Sequence, residues 1–457
     1  MTVHHVPRPL SARKPAIVGI SPGPAPAEAR ASTPGRLQWV QALFFAAGVL
    51  LFSGCGAELS NGPGDAPQPG LEFSSIDDEL ATSAFLGETG QRFSEASRVY
   101  LINGSKTVRG AIRSQEEVDL YDLGPVVPGD HIFVMLETTG NLQGAMSLMD
   151  AQATMLLVDD HRNVVFGRQG TIVDVVILRP SPSCYVAVAA SRGFAADGNY
   201  SLTASKTPNQ PVFERHPDEV LLVFDGGTDV RIGGRTPAQV PVFDASRITR
   251  RFSGKTRQIV TRVVERVRSD YAPFDVAIHS TSEGTEFDGR MTRVYFGTFD
   301  EGLLGIAQGV DEFNVLQNQN AIVFTDTFTA FNSLNPSISE ISHALANVAS
   351  HEIGHLLGLV HTADPLGIMD VTASLSELML PQEFRRSPVH GEVFPLGFLD
   401  EVQSLLDSVG GNPQFVFPLG PITPKKTDYF RSSIVGSGER SGLRFGSCAL
   451  HRHSGAK

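Results

Sequence analysis

The stretch Ser350–Asp370, SHEIGHLLGLVHTADPLGIMD, combines three histidines, a glutamate and a methionine at spacings that suit metal chemistry. His351 and His355 are four residues apart, so on a helix they project from one face, one turn apart, and can share a tetrahedral zinc ion. Glu352 stands beside the first of them and can reach water on such an ion. His361 comes six residues after His355. On an uninterrupted helix it would be rotated by about 600°, roughly 120° off the ligand face. It can join the other two only if the helix ends and the chain turns back. Gly358 lies where that break is needed, and glycine takes the positive φ of a helix-ending turn at little cost. Asp364, Pro365 and Gly367 are turn formers leading to Met369, eight residues after His361.

The string His351-Glu352-x-x-His355-x-x-Gly358-x-x-His361 has chance odds on the order of one in a thousand or less at ordinary residue frequencies, far more specific than a bare HExxH. It resembles the metzincin zinc peptidases, whose motif continues to a methionine turn at the position of Met369. The spacing and the hydroxyl of Thr362 are most similar to the matrixin branch, although Asp370-Val371 stands where that branch carries Tyr-Pro. The resemblance covers about residues 218–411. It implies a zincin-like α/β (α+β) metallopeptidase domain that hydrolyses protein or peptide substrates. His351, His355 and His361 would be the zinc ligands, Gly358 the helix break, and Met369 a floor that does not bind metal. Glu352 would be the general base toward a zinc-bound water. It also makes Glu301–Phe324 similar to the segment leading into the edge strand that pairs with substrate, expected near Ala321–Phe324. Pro381–Gly397 would form a wall of the primed-side pocket. Calcium accompanies related enzymes, but no loop here has a dedicated calcium pattern. His343 and His390 read as structural, since zinc already has its ligands, and Asp364 reads as a turn residue.

Several elements must position these residues. Ser337 and Glu340 form an S-x-x-E capping box after Pro336, which opens the motif helix. A helix over 253–274 places Ile259, Val260, Val263, Val264 and Val267 on one face. EVLLVFDGG, DVAIHST, RVYFGT and NAIVFTD read as strands, and a third helix is expected over Leu399–Val409. Upstream, residues 96–205 show short β runs broken by Gly, Pro, Asn and Asp, which reads as an antiparallel β-sandwich. EEVDLYDL, PGDHIFV and GNYSLTAS in this region resemble the bacterial pre-peptidase C-terminal domain. Residues 206–217 read as a linker and 412–457 as a poorly ordered tail.

Residues 1–55 end in ALFFAAGVLLFSGC, an apolar run too short to span a bilayer, followed by small residues and Cys55. This resembles a lipoprotein export signal with Cys55 as the lipidation candidate, although Phe52 stands where leucine is usual; the true start codon then falls downstream of Met1. The Gly/Pro-rich stretch within 56–95 reads as a flexible tether. The expected location is therefore outside the cytoplasm, as a cell-envelope lipoprotein or a secreted protein, with membrane contact only through the lipid. A net charge of -12 without a long Lys/Arg run argues against a nucleic-acid partner, and a monomer is expected. Three cysteines make no disulfide framework, and spacing does not decide whether Cys184 and Cys448 pair. The alternative reading is a non-catalytic surface adhesion or binding lipoprotein with a structural or vestigial zinc site. Glu352 argues against it, because a structural site needs no base.

Overall fold

The computed structural model describes residues 93–415, except 102–103, 162–163, 166–167, 170 and 233–237. The Cys55 signal, the tether to residue 92, and Cys448 in the tail lie outside the described residues. No helix among them is long and apolar enough to cross a membrane.

Residues 97–207 form the expected β-sandwich. One sheet has four antiparallel strands in the order Gly104–Ile112, Gly198–Thr207, His131–Gly140, Thr171–Val176. The other has five, in the order Ser97–Arg98, Val118–Asp122, Tyr185–Ala190, Gly144–Met149, Met155–Asp160. Ile132, Val134 and Leu136 point inward from one strand and Tyr200, Leu202 and Ala204 from its neighbour, the period-2 pattern of a half-buried sheet. The five-stranded sheet differs. Gly144–Met149 is buried at every position, and Tyr185–Ala190 is buried at all but its first. Its second face contributes Leu120, Met149, Met155 and Ala187 to the core of the following domain. A sheet covered on both faces reads as a continuous apolar run, and YVAVAA is one. The two domains therefore share a core, joined by an Arg179–Asp407 ion pair of 2.8 Å.

The second domain is built on a five-stranded sheet in the order Val276–Ser280, Asp218–Val223, Thr292–Phe296, Asn320–Val323, Gly305–Ala307. The first four strands are parallel and the last is antiparallel. This corrects the sequence expectation for the edge. Ala321–Val323 is paired on both sides, and the short Gly305–Ala307 strand takes the outer position because the chain doubles back beside Asn320–Val323. Helix α1 (Thr256–Tyr271) buries the five predicted aliphatics and Tyr271. Helix α2 (Ile338–Leu356) begins with the predicted capping box: the Glu340 amide donates to Ser337 Oγ and the Ser337 amide to Glu340 Oε2. From Ala344 to Leu356 it is buried on all sides, between the sheet, α1 and the C-terminal segment. That segment holds the short α3 (Leu375–Leu378), the paired strands Arg386–Pro388 and Phe398–Asp400, and α4 (Glu401–Ser408).

Candidate metal centre

Helix α2 ends as the histidine spacing requires. Gly358 has φ +99°. Its amide donates to the His355 carbonyl at 3.0 Å, and the Leu359 amide donates to the Gly354 carbonyl at 2.9 Å. These are the paired bonds of a Schellman motif. A Cβ at 358 would also lie 3.0 Å from the Glu312 Cα and 3.1 Å from the Asp311 carbonyl oxygen, so close packing and backbone angle both ask for glycine there.

The turn brings the three histidines together. His355 Nε2 lies 3.1 Å from His351 Nε2 and 3.0 Å from His361 Nε2, and all three residues are buried. His351 Nδ1 donates to the Ile368 carbonyl at 2.7 Å and His355 Nδ1 to the Leu359 carbonyl at 2.8 Å. Those bonds place the neutral-ring proton on Nδ1 and leave lone pairs on the two facing Nε2 atoms. Protonation is not the way to relieve that repulsion. Burial pushes His355 down to about 4 and, with His355 as neighbour, pushes His351 well below its ordinary range. A cation relieves it instead. Two nitrogens on a four-coordinate zinc at about 2.05 Å would be roughly 3.3 Å apart, close to the spacing found. The three side chains offer ligand atoms that all lie within 4.8 Å of one another, and the donor set fits zinc.

Glu352 is fully buried against the outer strand, its Oε1 only 2.5 Å from where a Cβ at Gly305 would sit. Burial holds its carboxyl well above the usual range, opposed in part by the Ala307 amide. Both carboxylate oxygens are buried.

Met369 is fully buried under the helix. A Cβ at Gly354 would meet its Sδ at 2.5 Å, so the middle of the motif needs a second small residue. The methionine turn is tied back to the third histidine's segment, with the Thr362 amide donating to the Met369 carbonyl at 2.8 Å. Thr362 Oγ1 donates to Glu401 Oε1 at 3.2 Å, and the Arg385 amide donates to Glu401 Oε2 at 3.1 Å. The 381–397 segment does adjoin the site: the His390 amide donates to the His361 carbonyl at 3.0 Å and the Ala363 amide to the Pro388 carbonyl at 2.9 Å. His343 and His390 stand apart from the cluster, His343 facing the Met379 carbonyl at 3.3 Å. Asp364 is a turn residue, accepting from the Gly367 amide through its carbonyl at 2.7 Å. Cys184 is a buried free thiol.

Sequence reasoning missed Gly305, Gly354 and Glu401. Only Gly354 carried a readable signal, as a small residue inside the motif. The other two act across long sequence separations.

The fold and the cluster define a domain of the zinc metallopeptidase class. Residues 269–383, which carry all three histidines, match the matrixin family model. No curated protein matches the sequence. Among solved structures, the chain is similar to the pre-peptidase C-terminal domain of a collagenase from Bacillus anthracis, at 15% identity over 24% of this chain and 95% of that one, with a TM-score of 0.19. It is also similar to archaemetzincin from Methanopyrus kandleri, at 17% identity over 36% of this chain and 87% of that one, with a TM-score of 0.21.

Proposed function

We propose that the chain is an exported, zinc-dependent endopeptidase of metzincin type. The observation that carries this reading is the convergence of His351, His355 and His361 through Nε2, with the Nδ1 of the first two fixed by backbone carbonyls. Zinc, when bound, would supply Lewis acidity toward the scissile carbonyl and toward water. Glu352 takes the proton from the attacking water and returns one to the leaving amine nitrogen. Gly305–Ala307 is the outer strand of its sheet and lies beside Glu352, a position that favours an extended polypeptide substrate over a small ester. Met369 and Gly354 hold the floor beneath the ligands. The apolar run ending at Cys55 and the tether after it support export with a lipid anchor.

The test is Glu352→Gln with a quenched-peptide library. The variant should retain stoichiometric zinc and lose hydrolysis by about 10²–10⁴-fold. Full zinc loading in the parent with no turnover of any peptide or protein would overturn the peptidase reading in favour of a binding protein. Labelling with palmitate, abolished in Cys55→Ser, tests the anchor.

A further inference from the structure

Beside the shared apolar core, the sandwich reaches the metal centre's surroundings through a chain of hydrogen bonds that starts at one turn. Its turn Asp150–Thr154 is built tightly: Asp150 Oδ1 accepts from the amides of Gln152 and Thr154, each at 2.8 Å. Ala153 is held there at φ +60°, a conformation that non-glycine residues keep only where their surroundings impose it. The turn offers two carbonyls outward. Ala153 accepts from the Phe398 amide at 2.9 Å, and Gln152 accepts from Arg386 Nη2 at 2.7 Å. The Arg386 guanidinium also lies over the Phe398 ring, 4.1 Å from its centroid. At Gly397, φ is +104°, and a Cβ would lie 3.2 Å from Met149 Sδ and 3.4 Å from the Ala153 oxygen.

From there the connection continues by main-chain bonds. The Gly397 carbonyl accepts from the Val389 amide at 3.0 Å, and the next residue, His390, donates to the His361 carbonyl. A cavity of about 390 Å³ interrupts the packing elsewhere in this interface, bordered by Met155, Val360 and Gly358. The hydrogen-bonded turn supplies the directional contacts of this interface, beside the apolar core that the domains share.

We propose that the sandwich turn Asp150–Thr154 is a positioning element for the His361 segment, making the β-sandwich part of the apparatus that presents the third ligand. This rests on the zinc-site reading given above. The turn fixes Phe398 and Arg386, their strands fix Pro388–His390, and that segment fixes the backbone on which His361 sits.

Amide hydrogen exchange and chelator competition on the full chain test it. Asp150→Ala should raise exchange at Phe398, Val389, His390 and Ala363 by roughly tenfold, the scale of one lost hydrogen bond to a charged group. Zinc should pass to a competing chelator several-fold faster. Asp150→Asn, which keeps an acceptor oxygen, should restore both. Arg386→Met, which removes the bond to Gln152, should act in the same direction. Unchanged exchange at His390 and Ala363 in both Asp150→Ala and Arg386→Met overturns the proposal. So does unchanged zinc release despite raised exchange. The exchange data are readable whether or not the parent hydrolyses peptides, so failure here is distinct from failure of the peptidase reading.

Discussion

Replacing Gly358 by alanine tests the geometry on which the metal centre depends. An L-residue at φ +99° pays about 1–2 kcal/mol for the left-handed backbone. The added Cβ would also meet backbone atoms of Glu312 and Asp311 at 3.0 and 3.1 Å. Backbone yields less readily than a side-chain tip, so a further cost of about 1 kcal/mol is expected. The total of about 2–3 kcal/mol corresponds to a fall in melting temperature of about 3–5 °C for a body of this size. Differential scanning calorimetry of the metal-free protein reads that directly. The two consequences separate in a second variant. Asparagine tolerates the left-handed region better than alanine, so Gly358→Asn should recover part of the strain but none of the contact cost. The same substitutions should weaken zinc binding, because the turn sets the direction in which His361 returns toward His355. A Gly358→Ala protein that melts with the parent and holds zinc equally well would refute this account of why the helix ends there.

Other perturbations follow from neighbouring contacts. Gly354→Ala should displace Met369, whose Sδ lies 2.5 Å from the new Cβ, and destabilise the fold by about 1–3 kcal/mol, measured by denaturant titration. Its effect should shrink if Met369 is shortened to alanine in the same chain. Glu401→Ala should cost about 2–4 kcal/mol by the same assay, since it strands the Thr362 hydroxyl and the Arg385 amide. Asp218 gives a pH prediction. Burial, opposed in part by Thr292 and the Glu219 amide, raises its carboxyl to about 6. The folded chain thus keeps this proton more tightly than the unfolded chain, so the group's contribution is full below about 3.8 and is lost as pH rises through about 6. The loss is on the order of 3 kcal/mol. Asp218→Asn should therefore melt close to the parent at pH 4 and above it at pH 8; parallel melting curves across that range would contradict the assignment.

Much of this architecture was legible because local chemistry and tertiary outcome agree. The valine and isoleucine face of α1, the Ser337 capping box and the Gly358 break are each fixed within a few residues of sequence, and each appears as expected. The edge of the sheet was not legible. Ala321–Val323 is the stronger β sequence, but edge position depends on pairing across the sheet, and Gly305–Ala307 is a run of only three residues in which Ile306 alone has strand propensity. The shared core was half visible. YVAVAA lacks the alternation of a one-sided sheet, but a continuous apolar run does not say what covers the second face. Glu401 lies 39 residues from the Thr362 hydroxyl it accepts, and no periodicity links the two.

The helix end, the methionine turn and the choice of histidine tautomer are one device. The carbonyl that fixes His355 belongs to Leu359, the residue whose own amide closes the Schellman motif. The carbonyl that fixes His351 belongs to Ile368, the neighbour of Met369. Met369 in turn fits only because Gly354 leaves room for its sulfur. Ending α2 anywhere else would move Leu359 away from His355 and free its ring to carry the proton on Nε2, where it would block the metal. The motif's two glycines thus act on ligand chemistry as well as on chain direction: Gly358 sets the acceptor for one imidazole, and Gly354 admits the turn that supplies the acceptor for another. His351 and His355 then hold lone pairs against each other at 3.1 Å, an arrangement whose repulsion a bound cation would relieve.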